Sequence, residues 1–118
     1  MRDSTFLIKD ILESIENIEN FSKGLTKEKF SKNKLKQSAI IRQLEIIGEA
    51  VKNLPIGFTN EYPEIPWKDI AGFRDLVIHS YFRVDLEKVW NIIKENLPDL
   101  KEKILKVKNG LESRNRKS

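Results

Sequence analysis

Arg74 and His79 are the two side chains whose types and spacing could act together on a phosphate. His79 is the only histidine in the chain, and it lies five residues after Arg74 and two before Tyr81. Arginine keeps its positive charge, whereas histidine exchanges a proton near neutral pH. A fixed cation beside a proton carrier suits phosphoryl chemistry, although this spacing alone does not prove it.

The composition excludes several other kinds of site. The chain has 118 residues and no cysteine, which removes disulfides, thiolate metal sites and a cysteine nucleophile. It also offers no cluster of histidine and carboxylate ligands, so we expect no metal and no cofactor. The net charge of +4 permits contact with a nucleic acid but is too small to argue for it.

The length and the two ends predict how the chain is organised. A chain of 118 residues can bury one core, so we predict a single domain over residues 1–112. The basic end, residues 113–118, is predicted to be a disordered tail. We expect no signal peptide and no membrane span, and therefore a cytoplasmic protein.

The elements that must position these side chains are predicted to be helices. Apolar residues recur at steps of three and four, no strand pattern is present, and Pro55 to Pro66 contains turn residues with no periodicity. The predicted helices cover residues 4–21, 33–54, 67–79 and the chain after Asp85, which is predicted to cap the last helix. A short turn, or one loose helical turn, is predicted over 26–30, and the last helix is predicted to kink or restart at Pro98 and to have a loosened end at Gly110. This pattern predicts an all-α, antiparallel up-and-down bundle of four to five helices.

Two features of the predicted second helix concern its neighbours. Gly48 weakens the helix by about 1 kcal/mol relative to alanine, and its expected benefit is the close approach of another backbone. The helix also carries Glu45 and Glu49, either of which could form an ion pair with Arg74. A purely structural role for Arg74 therefore remains open at this point.

Several short motifs, in this order, together resemble HepT-type HEPN proteins. They are Ile47-Gly-Glu-Ala50, Leu54-Pro55, the segment from Pro63-Glu-Ile-Pro-Trp67 to Arg74, His79-Ser-Tyr81, Val84-Asp85, Val89-Trp90 and Leu97-Pro98. The similarity runs from the first predicted helix to about Leu100. Its signature is an arginine, four residues, a histidine, one residue and a tyrosine, which maps onto Arg74, His79 and Tyr81 without a gap.

The resemblance implies an endoribonuclease that needs no metal and belongs to a toxin–antitoxin pair. Arg74 and His79 would be catalytic, with Asp75 and Ser80 in supporting roles. The active cleft would form between the two protomers of a homodimer. A partner nucleotidyltransferase, the antitoxin, would silence the toxin by transferring AMP from ATP to Tyr81.

Helix geometry explains why two copies would matter. Five residues correspond to about 140° of rotation, so Arg74 and His79 do not share one face of an ideal helix. A two-fold interface would bring a second copy of each side chain to the same cleft. RNA cleavage through the 2′-hydroxyl needs both a base and an acid, and two copies of His79 could divide these roles, or water could supply one of them.

Other functions fit the same residues. The protein could be a non-catalytic partner of a nucleotidyltransferase, with Arg74 clamping a nucleotide phosphate and His79 donating a hydrogen bond. It could also be a homodimeric scaffold that keeps a relic site. Trp67 and Trp90 lie on apolar stripes, which favours packing over stacking on bases.

Overall fold

The computed structural model describes residues 3–75 and 85–117, with side chains described as far as residue 114. These residues are predominantly helical and contain no strand. The predicted all-α fold class is therefore confirmed. Within the same residues, no helix is both long enough and apolar enough to cross a membrane.

The first helix, α1, runs over Ser4–Ser22, close to the predicted span. Asp3 caps it by accepting a hydrogen bond from the backbone N–H of Thr5. Gly24 follows with a φ of +77°, a left-handed conformation that glycine adopts without strain. The apolar stripe of α1 is buried and consists of Leu7, Ile8, Ile11, Leu12, Ile15 and Ile18.

Two helices with capped N-termini follow the turn after α1. The short α2, Lys27–Lys32, is capped by the Thr26 side chain, and the longer α3, Lys34–Lys52, is capped by Asn33. Where the sequence predicted a short turn or one loose helical turn over 26–30, the structure has this capped helix. Phe30 is buried and anchors α2 to the core.

The segment between α3 and the candidate site is more structured than the sequence predicted. Residues 55–66 were expected to be a loop, but α4 occupies Ile56–Thr59 within it. The next helix, α5, ends early, because only Trp67–Ala71 is α-helical and Gly72–Arg74 forms a tighter 3-10 turn. The prediction of one regular helix from residue 67 to 79 is therefore wrong over 72–74. Its part beyond Asp75 lies outside the described residues.

The chain resumes with a long, nearly continuous helical stretch. Asp85 caps α6, Leu86–Asn91, by accepting from the backbone N–H of Lys88, which confirms its predicted role. A π-helical turn, Ile92–Asn96, then leads into α7, Leu97–Lys117. Pro98 cannot donate to the helix ladder, and a wider turn immediately before it accommodates the missing N–H without ending the helix.

The end of α7 corrects one prediction. The helix does not loosen at Gly110 but continues to Lys117, so the backbone of residues 113–117 is helical where a disordered tail was expected. A single glycine costs a helix only about 1 kcal/mol, and pairs such as Lys108–Glu112 span the position. The limits of the predicted domain, residues 1–112, stay a prediction.

The long helices pack around one apolar core. α1 lies along α3 and α7, while α5 and the 3-10 turn pack on α3. The core also receives side chains from the short elements, among them Phe30, Ile65, Ile70 and Phe73. This packing fixes the 3-10 turn, and with it Arg74, against the C-terminal part of α3.

Candidate functional site

Only part of the predicted site falls on described residues. Arg74 ends the 3-10 turn and Asp75 follows it directly, both with intermediate exposure. His79, Ser80 and Tyr81 lie outside the described residues. The predicted roles of all five residues, and the geometry that would join Arg74 to His79, stay predictions.

Two buried side chains and a tryptophan hold the turn that carries Arg74. Ile70 and Phe73 are 3% and 8% exposed, and they place the turn on the core. At the start of α5, the Trp67 indole Nε1 donates to the backbone oxygens of Thr59 and Tyr62, at 3.1 and 3.0 Å. The indole therefore ties the 55–66 segment to the base of the site, and the packing role predicted for Trp67 agrees with this geometry.

Gly48 of α3 lies directly against the backbone of the same turn. A Cβ atom added at Gly48 would stand 2.6 Å from the Arg74 nitrogen and 3.0 Å from the Ala71 oxygen. The first distance is too short for a side-chain carbon and the second is tighter than an ordinary contact, so a glycine is needed for α3 and the turn to approach this closely. The prediction that Gly48 permits a close backbone approach is confirmed.

The residue after this glycine contacts the Arg74 side chain. Glu49 Oε2 lies 3.1 Å from Arg74 Nε, and the two side chains are 51% and 38% exposed. The other predicted partner, Glu45, pairs instead with Arg42 at 2.9 Å. The sequence therefore identified the ion pair between α3 and Arg74 but could not choose between the two glutamates.

The ion pair between Arg74 and Glu49 restrains a side chain more than it stabilises the fold. Exposed ion pairs contribute only about 0–1 kcal/mol to stability, because solvent screens them. The pair matters more as a restraint on a long side chain. A guanidinium has five N–H donors and one carboxylate can accept two, so donors remain for an anion.

An open cleft lies beside the turn. Its volume is about 770 Å³, and it separates the α5 and 3-10 segment from α6 and the π-helical turn. Phe73 and Asp85, which lie near the two described flanks of the segment carrying His79, both line it. Its other lining residues are Lys68, Asp69, Gly72, Glu87, Lys88, Asn91, Ile92 and Asn96, and Arg74 is not among the described lining residues.

The polar lining of the cleft was not predicted from the sequence. Asn91 and Asn96 come together there because the π-helical turn shifts the register of the helix between them. No local signal except Pro98 points to this turn. Among residues 3–75 and 85–117, no group of three or more histidine, cysteine or acidic side chains could hold a metal ion.

Comparison with known proteins identifies the family to which this chain belongs. A family model described as Ribonuclease HepT-like matches residues 11–107. This range includes Gly48, Glu49, the 3-10 turn and the segment that carries His79. No solved structure gives a significant match.

Individual relatives agree with the family model. A Thermococcus cleftensis protein named probable ribonuclease HepT is 48% identical over 86% of this chain and 92% of its own length. A Methanocaldococcus jannaschii protein named as a gamma-glutamylcyclotransferase and candidate RNase is 47% identical over 94% of this chain, which spans only 50% of that relative. A second protein of that organism, named as a candidate RNase, is 46% identical over 86% of this chain and 84% of its own length.

Proposed function

The chain belongs to the HepT-like ribonuclease family, and from that premise we propose that it is a toxin that cuts RNA without a metal ion. Its target would be RNA in the cytoplasm, and its partner a nucleotidyltransferase antitoxin. The observation that carries the proposal is the placement of Arg74. Gly48 fixes its backbone and Glu49 restrains its side chain, at a turn beside an open cleft.

Arg74 supplies the charge that this reaction needs. As the 2′-oxygen attacks phosphorus, negative charge grows on the phosphate oxygens. A guanidinium held in advance stabilises that charge without further reorganisation, and removing one such donor typically costs about 10²–10³ in rate. Because Glu49 lies 3.1 Å from Nε, the outer nitrogens of the fork are the ones we assign to the phosphate.

His79 moves the protons. It takes the proton of the 2′-hydroxyl as the 2′-oxygen bonds to phosphorus, and the bond from phosphorus to the 5′-oxygen breaks. The 5′-oxygen then receives a proton from a second His79, contributed by the partner protomer, or from water. The products are a 2′,3′-cyclic phosphate and a 5′-hydroxyl. This division of roles is the reason we propose a homodimer with the cleft at its interface.

Tyr81 is the proposed point of control. Its phenol oxygen would attack the α-phosphorus of ATP on the partner enzyme, releasing pyrophosphate and leaving AMP on the tyrosine. The adduct adds bulk and negative charge where the RNA phosphate would bind, so it blocks by occlusion and repulsion. Asp75 and Ser80 complete the proposal as residues that orient the catalytic pair.

Cleavage of RNA by the purified protein tests the proposal. Protein made without its partner should cut RNA in the presence of EDTA and leave 2′,3′-cyclic phosphate ends, and His79→Ala should abolish the cut. Activity that survives in His79→Ala at the wild-type rate would refute the assignment. Tight nucleotide binding without cleavage would instead support a non-catalytic partner of a nucleotidyltransferase.

Mass spectrometry tests the control step separately. Protein produced together with its neighbouring nucleotidyltransferase should gain the mass of AMP, and Tyr81→Phe should not. The same preparation of wild-type protein should lose its ribonuclease activity, while Tyr81→Phe keeps it. An adduct on any other residue would overturn the role of Tyr81 and leave the nuclease proposal intact.

A further inference from the structure

The segment that joins α1 to α3 is strongly positive. Residues 23–36, from the end of α1 to the start of α3, contain six lysines and one glutamate, a net charge of +5. The whole chain carries +4, so all other residues together have a net charge of −1. We call this segment the lysine corner.

Most of these lysines have no acidic partner among the residues that the structure describes. Lys23, Lys29 and Lys34 are exposed and form no ion pair within the described part of the chain. The lysines of α7 are different, because Lys103, Lys106 and Lys108 each lie within 4 Å of a carboxylate four residues away. Lys23, Lys29 and Lys34 of the lysine corner are therefore uncompensated, whereas these three lysines of α7 each have a carboxylate nearby.

The lysine corner adjoins the helix that forms one wall of the cleft. Lys27 Nζ lies 3.1 Å from Glu87 Oε1 of α6, and the ring centroids of Phe30 in α2 and Trp90 in α6 are 5.5 Å apart. Glu87 also lines the cleft. A polyanion that leaves the cleft across α6 thus reaches the lysine corner directly.

The charge of the cleft shows why such a surface is needed. The described lining holds two lysines, Lys68 and Lys88, against three carboxylates, Asp69, Asp85 and Glu87. This lining has no excess positive charge with which to attract RNA. Phosphates beyond the one at Arg74 must then be neutralised outside the cleft.

We propose that the lysine corner is an RNA-binding surface, separate from the cleft, that holds the phosphate backbone of the substrate; this inference rests on the proposed ribonuclease function. Lysine is a flexible point charge that suits a mobile polyanion and reads no sequence. Protein interfaces are poor in lysine and rich in arginine and aromatic residues. The lysine corner has no arginine, tyrosine or tryptophan, and its phenylalanine, Phe30, is buried. Leu35 is 80% exposed there, but a single exposed apolar side chain is normal on a protein surface and does not form an apolar patch, so the composition favours RNA over a protein partner.

The salt dependence of RNA binding tests the proposal. The ligand is a labelled single-stranded oligouridylate with 2′-O-methyl groups, which cannot be cut through a 2′-hydroxyl. The test variant replaces Lys23, Lys29 and Lys34 with glutamine. The control variant replaces Lys103, Lys106 and Lys108 of α7 with glutamine, so both variants lose the same net charge. Thermal melting checks that both variants are folded.

The expected result is a change of slope in one variant only. Each phosphate contact contributes about −0.7 to the slope of log affinity against log salt for a single strand, so three lost contacts reduce the slope by about 2. The ratio of the affinity at about 50 mM salt to the affinity at about 200 mM salt should therefore be roughly 20-fold smaller in this variant than in wild type. The α7 variant should keep the wild-type slope.

Three results would overturn the proposal. The first is an unchanged slope in the variant of the lysine corner, and the second is an equal loss of slope in both variants. The third is a variant of the lysine corner that still binds RNA but no longer binds the nucleotidyltransferase, which would show that the lysine corner binds a protein. The test does not depend on catalysis. If the protein cuts no RNA but shows the predicted slopes, the ribonuclease proposal is refuted and the RNA-binding role of the lysine corner is supported. If the protein cuts RNA but all the slopes are unchanged, the ribonuclease proposal is supported and the RNA-binding role of the lysine corner is refuted.

Discussion

Replacing Gly48 with alanine should damage the site more than it damages the fold. The new Cβ would stand 2.6 Å from the Arg74 nitrogen, and it needs 3.4 Å for ordinary contact, so α3 and the turn must separate by about 0.8 Å. Forcing an extra carbon into a packed contact costs about 1–3 kcal/mol. Alanine recovers about 1 kcal/mol of helix propensity, so the free energy of unfolding should fall by at most about 2 kcal/mol.

The effect on activity should be larger, because the displaced backbone is that of Arg74 itself. A shift of about 1 Å in a catalytic group can cost 10²-fold in rate. We therefore expect kcat/KM for RNA cleavage to fall by about 10²-fold in Gly48→Ala, measured beside urea denaturation of the same preparation.

Gly110→Ala is the matched control. Gly110 lies in α7, where an added Cβ meets nothing within 4 Å. This variant should gain about 1 kcal/mol of stability and keep full activity. The difference in unfolding free energy between the two variants isolates the clash. If Gly48→Ala is stabilised as much as Gly110→Ala and cuts RNA at the wild-type rate, the close approach has no functional role.

Three further predictions follow from the contacts around the site. Glu49→Gln should lower kcat/KM about tenfold through a less restrained Arg74, while urea denaturation detects a loss of at most about 1 kcal/mol; an activity equal to wild type would exclude a positioning role. Trp67→Phe removes the indole donor to two backbone oxygens and should cost about 1–3 kcal/mol in the same assay; an unchanged midpoint would contradict it. The hydrogen bond to Glu19, at 2.8 Å, raises the pKa of Lys101 above its ordinary value, so Lys101→Gln should cost about 0.5 kcal/mol at neutral pH. This contribution is fully present below the unfolded-state pKa and is lost as pH rises through the raised folded-state pKa, so the two proteins should begin to converge only above pH 10.5, the ordinary lysine value. A difference that stays constant as pH rises beyond that value would show that the effect is not electrostatic.

The sequence predicted those elements whose signals are local. The apolar stripe of α1 and the cap at Asp85 both appear as expected, because periodicity and capping depend on residues within a few positions. Gly48 was informative for a related reason. A glycine inside an otherwise good helix costs stability, so it indicates a contact that needs the space.

The features that were missed depend on contacts between distant residues. The 3-10 turn at Gly72–Arg74 packs against Gly48, and the π-helical turn at Ile92–Asn96 precedes a proline that the surrounding core keeps inside a helix. Gly110 was read as a helix end, but one glycine could not outweigh the packing and ion pairs along α7. The choice between Glu45 and Glu49 was likewise fixed only by how α3 packs on the turn.

The most direct test of the account compares two arginines that both pair with a glutamate of α3. Arg74 contacts Glu49 and lies beside the cleft, whereas Arg42 contacts Glu45 on the same helix. The measurement is kcat/KM for RNA cleavage, with EDTA present, by Arg74→Ala and Arg42→Ala. We predict a loss of about 10²–10³-fold in Arg74→Ala and less than a twofold change in Arg42→Ala. Equal activity in the two variants would contradict the assignment of the phosphate-binding role to Arg74.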